Sequence, residues 1–392
     1  MITSLLDEGC SLPRPTLEMD YTVVVAGGGP AGAVTALRLA RAGTRVLVVD
    51  REQPRRVEAA EIMSPEGRTI LENEDLWERM PLDLTWPCSV MAAAWDGPEP
   101  EWTVFTLHAS GPAWHVDRAR FDVWLRGRLR QEGVDVARGS VERVDRTDDG
   151  WQVEVADDAE GSRRAVDARC LVVATGRTSR RVRLAPRRRI DNLCLVTGTT
   201  DPDPVEPDAL IVEAVADGWW YSAPLLNGRL FSGWMTDFSL VSDGRYEDAA
   251  RRSLAGAPIH ARRVGNPRLD AIIGSATWVT SPAAGPGWIA IGDAALARDP
   301  IGGDGLTSAL RSACHGADVV LRALGGDDEA WSRAAIELEA IARRYEKQRL
   351  DLYRRAARRW PDARFWRRFV DERSGPTRTD RPAVDPIGRP QK

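Results

Sequence analysis

Residues 23–32, VVVAGGGPAG, limit what this chain can fold into more than any other stretch. An apolar run breaks there into glycines and then into a small-residue helix predicted over Pro30–Ala42. The run Tyr21–Ala26 has the branched, apolar content of a buried parallel strand. Gly27, Gly29 and Gly32 complete a GxGxxG pattern. The first glycine permits a tight turn, the second lets backbone approach a pyrophosphate, and the third lets the helix lie close on the strand. The helix start then offers free N–H groups and its dipole to phosphate. A second apolar strand, Arg45–Val49, ends at Asp50, 18 residues past Gly32. An acid at about that distance holds a ribose hydroxyl. With a strand before it, a helix after it and a terminal acid, the pattern predicts a dinucleotide site rather than a glycine turn that binds nothing.

The chain has 392 residues, long enough for two domains. Its 43% hydrophobic and 29% charged residues are those of a globular protein with a sizeable core. No apolar run reaches the roughly 20 residues of a membrane span. The start, MITSLLDEGC, lacks the basic and apolar regions of a signal peptide, so a cytoplasmic location is expected. Five scattered cysteines (Cys10, Cys88, Cys170, Cys194, Cys314) have no metal-site spacing and are expected to be reduced thiols. The net charge is −4, yet residues 343–373 carry 12 Arg and Lys against 5 Asp and Glu. Lysine occurs only at Lys347 and Lys392.

Along the chain, a helix is expected from near Ser64. Strands are expected over 86–116, and a helix over VDRARFDVWLRGRLRQEGVDV that stops at Gly133. Gln152–Val155 and Cys170–Thr175 read as strands. Residues 181–280 switch to strands and turns, WIAIGD (288–293) restores a buried strand, and helical patterns cover 306–324 and about 328–370. Residues 1–19 and 374–392 are expected to be flexible termini.

A second glycine loop lies far along the chain, in GDAALARDPIGGDGLTSAL (292–310). Asp293 at a strand end can accept hydrogen bonds from a polyol. Gly302, Gly303 and Gly305 bring bare backbone N–H groups to a developing anion at a helix start. Taken in order, GGGPAG, ATGR (174–177) and GDAA…DPIGGDG resemble the flavoprotein monooxygenase superfamily with the para-hydroxybenzoate hydroxylase fold. That resemblance covers most of residues 20–325. It implies an α/β fold: a Rossmann-like FAD-binding domain (20–85, 111–180, 281–325) interleaved with a β-rich substrate domain (86–110, 181–280), plus C-terminal helices (326–370). It implies that Gly27, Gly29, Gly32, Asp50 and Arg51 hold the ADP half of FAD, and Asp293 the ribityl chain. Pro300, Gly302, Gly303 and Gly305 serve the flavin end. Arg118 matches the arginine that contacts FAD from the head of its helix, and Val141 lies where a strand meets adenine.

GWWYSAPL (218–225) together with DPIGGDG is most similar to the branch of tryptophan halogenases, geranylgeranyl-reductase-like proteins and tryptophan-hydroxylating flavoprotein maturases. Thr175-Gly176 replaces the superfamily's DG acid, which weakens the case for the NAD(P)H handling of simpler members. Halogenases of this branch use a lysine between flavin and substrate. Residues 51–80 contain no lysine, and arginine is a poor substitute because its guanidinium stays protonated. Oxygen transfer through a flavin hydroperoxide asks less of the protein. The expectation is therefore an FAD-dependent monooxygenase acting on an indole- or tryptophan-like aromatic, free or carried on a peptide or carrier protein. NAD(P)H would bind transiently, or a separate reductase would serve. The alternatives are a flavin-dependent reductase or dehydrogenase acting on a carbon–carbon bond, and a non-catalytic maturation partner.

For the substrate, Glu61 is the candidate base or indole N–H acceptor, against the plainer reading of a solvated charge. Trp220 and Ser222 share one strand face and Trp234 lies on the next strand, so they stack an aromatic substrate or simply fill the core. His115 reads as structural. The basic segment 343–373 either docks an acidic protein partner or forms a solvated helix covering the cofactor domain. Its charge falls short of what nucleic-acid binding requires on an acidic protein.

Overall fold

The strand Tyr21–Ala26 lies inside a seven-stranded sheet, and its last four residues are buried. The computed structural model describes residues 19–52, 59–105, 111–157, 161–177, 181–201, 208–242 and 244–370. The two expected flexible termini fall outside these residues, apart from Met19. Tyr21–Ala26 pairs in parallel with Val46–Asp50 on one side and with Arg163–Val173 on the other. Asp135–Arg138 extends the parallel run beyond Val46–Asp50, and Trp288–Ala290 beyond Val173. From Gly139 onward the strand Asp135–Arg146 pairs antiparallel with Trp151–Asp157, with a register shift between Val141 and Arg143. The parallel strands end together at one edge, where an open α/β sheet binds its ligand.

Helix α1 (Pro30–Arg41) leaves this edge with Pro at its first position and packs Ala33, Ala36, Leu37 and Leu39, all almost fully buried, toward the sheet. Helix α2 (Pro65–Asn73) starts just past Ser64 as expected. Helix α3 (Arg118–Gln131) is capped by the Asp117 carboxylate, which accepts from Arg120 N–H at 3.0 Å, and ends before Gly133 at φ +74°.

The second sheet runs in the order Arg268–Gly274, Leu193–Thr200, Leu230–Asp237, Gly218–Pro224, Leu210–Val215, Val90–Ala94, Glu101–Val104. Within the ranges 86–110 and 181–280, Thr85–Cys88 pairs instead with Ala113–Val116, and Arg187–Arg189 with Trp278–Thr280 in a separate small sheet. Strand alternation gives the second sheet two buried faces. Trp220 and Trp234 point toward α4 (Tyr246–Ala255) and α5 (Pro258–Val264). Trp219, Tyr221, Phe231 and Met235 point the other way.

Two expectations need correction. The strand at 288–293 stops at Ala290, and Gly292–Ala294 forms a 3₁₀ turn with Gly292 at φ +56°. The helical pattern over 328–370 is two helices. After α6 (Gly305–Leu324), α7 spans Ala330–Ala357 and α8 spans Arg364–Val370. Pro361 lies between α7 and α8, lacks an N–H and disfavours a helical Trp360. These helices do not simply cover the cofactor domain. Ala330, Trp331 and Ala334 pack on its core, whereas Tyr353, Ala356, Phe365, Trp366 and Phe369 pack on the Trp219 face of the second sheet.

Candidate functional site

At the first loop, Gly27 adopts φ +110°, and its N–H donates to the Val49 carbonyl at 2.8 Å. A Cβ there would lie 2.3 Å from the Ala174 carbonyl oxygen, and one on Gly32 would lie 1.9 Å from the Gly27 carbonyl oxygen. Gly29, by contrast, faces open space, with no atom within 4 Å of an added Cβ. Two glycines are thus needed for packing, and one leaves backbone bare at the start of α1. Asp50 accepts from Gly28 N–H at 2.7 Å and from Glu52 N–H at 2.8 Å, so its carboxylate is held beside the loop. Arg51 is exposed. Val141 is buried in the same core layer as Ala26, Val49 and Ala294.

The second loop has the same character. Gly302, Gly303 and Gly305 are exposed, Gly303 at φ +60°, and Pro300 beside them is exposed too. Asp304 precedes α6 without capping it with its side chain. Its carboxylate instead meets Arg298 at 2.6 Å and accepts from Ser308 Oγ at 2.8 Å. The 20-residue helix therefore presents its N-terminal dipole past bare glycines.

Asp293 lies 3.5 Å from Arg177 Nη2, while Arg187 donates to the Asp293 carbonyl at 2.7 Å and the Arg177 carbonyl at 2.8 Å. Burial pushes Arg187 down to about 10, against the opposing pull of Asp293. Arg177 also donates to the Arg298 carbonyl at 2.6 Å, so one guanidinium joins ATGR to both parts of the second loop. The place of Arg177 in ATGR is the signal that the sequence carries for this role.

Arg118 bonds Glu61 at 2.6 Å and Asp122 at 2.7 Å. Burial opposes its charge, but the two carboxylates outweigh burial and raise its pKa. Glu61 is thus an oriented, ion-paired carboxylate at the start of the short strand Glu61–Met63, not a solvated charge. Trp220, Ser222 and Trp234 are not placed to stack a substrate. They are 0–1% exposed. Trp220 stacks on Trp234 with 6.1 Å between ring centroids and donates to Ser253 Oγ at 3.1 Å. The α4 and α5 helices seal that face, and this is the core-packing alternative. On the opposite face, Tyr221 shares a cluster with Trp219, Ala59, Ala60 and Ile301 of the second glycine loop. Burial, with a contribution from Glu61, pushes the Tyr221 phenol up, so it keeps its proton. Lys347 is exposed on α7.

A crowded turn, an open Gly29, a held acid and an uncapped second helix start fit an extended flavin dinucleotide. They define a flavoprotein. The FAD binding domain family matches residues 20–197. The FAD-dependent oxidoreductase LodB of Marinomonas mediterranea is 26% identical over 362 residues, 89% of this chain and 96% of that protein. The menaquinone reductase of Mycolicibacterium smegmatis is 30% identical over 322 residues, 74% of each chain. The solved structure of QhpG, a peptidyl tryptophan dihydroxylase essential for tryptophylquinone cofactor biogenesis, superposes with TM-score 0.70 at 27% identity. That superposition covers 93% of this chain and 82% of that one. The chain belongs to the FAD-dependent monooxygenase superfamily, in its halogenase, geranylgeranyl-reductase and tryptophan-hydroxylase branch.

Proposed function

We propose that this protein is an FAD-dependent monooxygenase that hydroxylates an indole- or tryptophan-like aromatic carried on a peptide or carrier protein. The observation that carries this reading is the side-chain chemistry between the second glycine loop and the Trp219 face of the sheet. An ion-paired carboxylate (Glu61), a protonated phenol (Tyr221) and apolar walls (Ile301, Ala59, Ala60) lie there. No lysine occurs in residues 51–80, so the amine that a halogenase of this branch requires is missing. The 27% identity to QhpG supports a protein-bound tryptophan as the first substrate to try.

Bound FAD supplies the redox chemistry and the activation of oxygen, with NAD(P)H or a separate reductase as electron donor. The chain's own residues do the rest. Arg118 fixes Glu61, whose carboxylate accepts an indole N–H. Tyr221, whose phenol stays protonated beside Glu61, donates a hydrogen bond to the substrate. Ile301 and Trp219 help keep water out. Exposed Arg344, Lys347, Arg358 and Arg364 offer an acidic carrier a basic contact.

The 30% identity to a menaquinone reductase favours a second reading, a flavin-dependent reductase, for which we take a carbon–carbon bond as the first target to try. Incubation of the reduced holoprotein with tryptophan-containing peptides under ¹⁸O₂ separates the two. Incorporation of ¹⁸O into the ring supports hydroxylation. Anaerobic turnover with net hydrogen gain in the product overturns it.

A further inference from the structure

The second glycine loop is gripped from outside by two side chains one turn apart on α7. Tyr345 Oη accepts from Asp299 N–H at 2.8 Å. Arg349 donates through Nε to Asp299 Oδ2 and through Nη2 to Asp191 Oδ2, both at 2.7 Å. The other Asp299 oxygen accepts from Ile301 N–H at 2.9 Å, one residue before Gly302. Asp191 in turn accepts from Leu193 N–H at 3.1 Å and Thr277 N–H at 3.0 Å, which anchors the chain of bonds in the second sheet. The Tyr345 ring also carries Arg298, 5.2 Å from its centroid, and Arg298 bonds Asp304 and Ser308 at the start of α6. Both ends of the turn 298–304 therefore rest on one helix face.

This network is nearly dry: the side chains of Arg349, Asp299 and Asp191 are 6%, 0% and 4% exposed. An ion triad so buried costs desolvation and is weak evidence of a purely stabilising role. Its position, ending on the peptide bonds that precede Gly302 and Gly303, suggests a different one. We propose that Tyr345 and Arg349 are positioning residues for the flavin, setting the placement of the glycine backbone at 302–305 through Asp299. The C-terminal helix thereby becomes part of the cofactor site without touching the cofactor.

The test uses the holoproteins Tyr345→Phe and Arg349→Lys, with Arg355→Ala as control. Arg355 lies on the same helix but pairs with Asp96 at 3.1 Å, away from the loop. Three readouts are taken: the rate of FAD release, from recovery of flavin fluorescence on dilution, the visible absorption of bound flavin, and its reduction midpoint potential. Tyr345→Phe loses one neutral hydrogen bond and is expected to release FAD about fivefold faster. Arg349→Lys loses the planar two-acid fork and is expected to release FAD about tenfold faster or more, with a shifted band and potential. Arg355→Ala should match the parent in all three. The proposal falls if both loop variants lower Tm but keep the parent's release rate, spectrum and potential, or if the control shifts as they do. If Arg349→Lys does not fold, Tyr345→Phe decides alone.

Discussion

A Cβ on Gly32 would sit 1.9 Å from the carbonyl oxygen of Gly27, so the start of α1 is pressed against the turn before it. Gly29, between them, meets nothing within 4 Å. The three glycines of one motif should therefore fail differently. Gly32→Ala forces backbone apart and should destabilise the apoprotein by about 1–3 kcal/mol, the usual scale for overpacking. Gly29→Ala should leave the apoprotein folded, with a small change in Tm, and reduce FAD affinity tenfold or more by crowding the pyrophosphate. Differential scanning fluorimetry of apoprotein and flavin absorbance of the purified protein check both arms. A fully yellow Gly29→Ala protein would move the site elsewhere.

The two faces of the strand Gly218–Pro224 make the next prediction. Trp220→Phe removes the stack on Trp234 and the bond to Ser253, so it should lower stability by about 2–3 kcal/mol. FAD content and substrate KM should stay at parent values. Tyr221→Phe alters only a phenol on the opposite face and should change KM or kcat while leaving Tm within about 2 °C. Steady-state kinetics beside thermal melts would show the opposite pattern if the substrate lay on the Trp220 side.

How far the sequence could be read follows from these same residues. The strands Tyr21–Ala26 and Val46–Asp50 and the helix starts at Pro30 and Gly305 were legible because each rests on local backbone rules and on an apolar strand beside a glycine turn. Which face of Gly218–Pro224 meets Ile301 of the second glycine loop was not. Alternation places Trp220 with Ser222, but both faces are buried, so polarity along the strand carries no sign of inside or outside. The Glu61–Arg118 and Asp299–Arg349 pairs join residues 57 and 50 positions apart and have no local signature at all. The C-terminal basic run shows the same limit: its charge was visible, the acids its arginines pair with were not.

That run supplies a third prediction. Arg349, Arg355 and Arg368 pair with Asp299 and Asp191, Asp96 and Asp237, and Tyr353, Phe365 and Trp366 are 0–1% exposed. Removing residues 343–392 should therefore yield insoluble or unfolded protein, since losing one such aromatic costs about 3–5 kcal/mol. The acidic-partner idea needs a gentler test. Arg344→Glu with Lys347→Glu changes exposed charge alone, and should raise KM severalfold for a carrier-bound substrate at low salt, with no effect on FAD content. Equal KM values for parent and variant would remove the docking role.

The last prediction concerns pH. His115 is 1% exposed, stacks on Trp86 at 5.1 Å between ring centroids, and its Nε2 lies 3.1 Å from the Asp208 carbonyl oxygen. Burial pushes its pKa down to about 4, with the Asp208 carbonyl opposing. Between that value and the ordinary value near 6.5, the unfolded chain binds a proton that the folded chain refuses. Stability therefore rises with pH across this window and is lost as pH falls through it. Each pH unit is worth at most about 1.4 kcal/mol, and the unfolded histidine is only half protonated at pH 6.5, so lowering the pH from 6.5 to 5 should cost about 1.6 kcal/mol from this residue alone. His260, pushed down by burial against the pull of Glu213, adds to the same slope. His115→Gln keeps a donor for the Asp208 carbonyl but cannot titrate. Urea unfolding at pH 6.5, 5.75 and 5 should show a clearly shallower loss for this variant than for the parent. Identical slopes would mean that His115 is already protonated in the folded protein, and that the Trp86 stack holds an imidazolium.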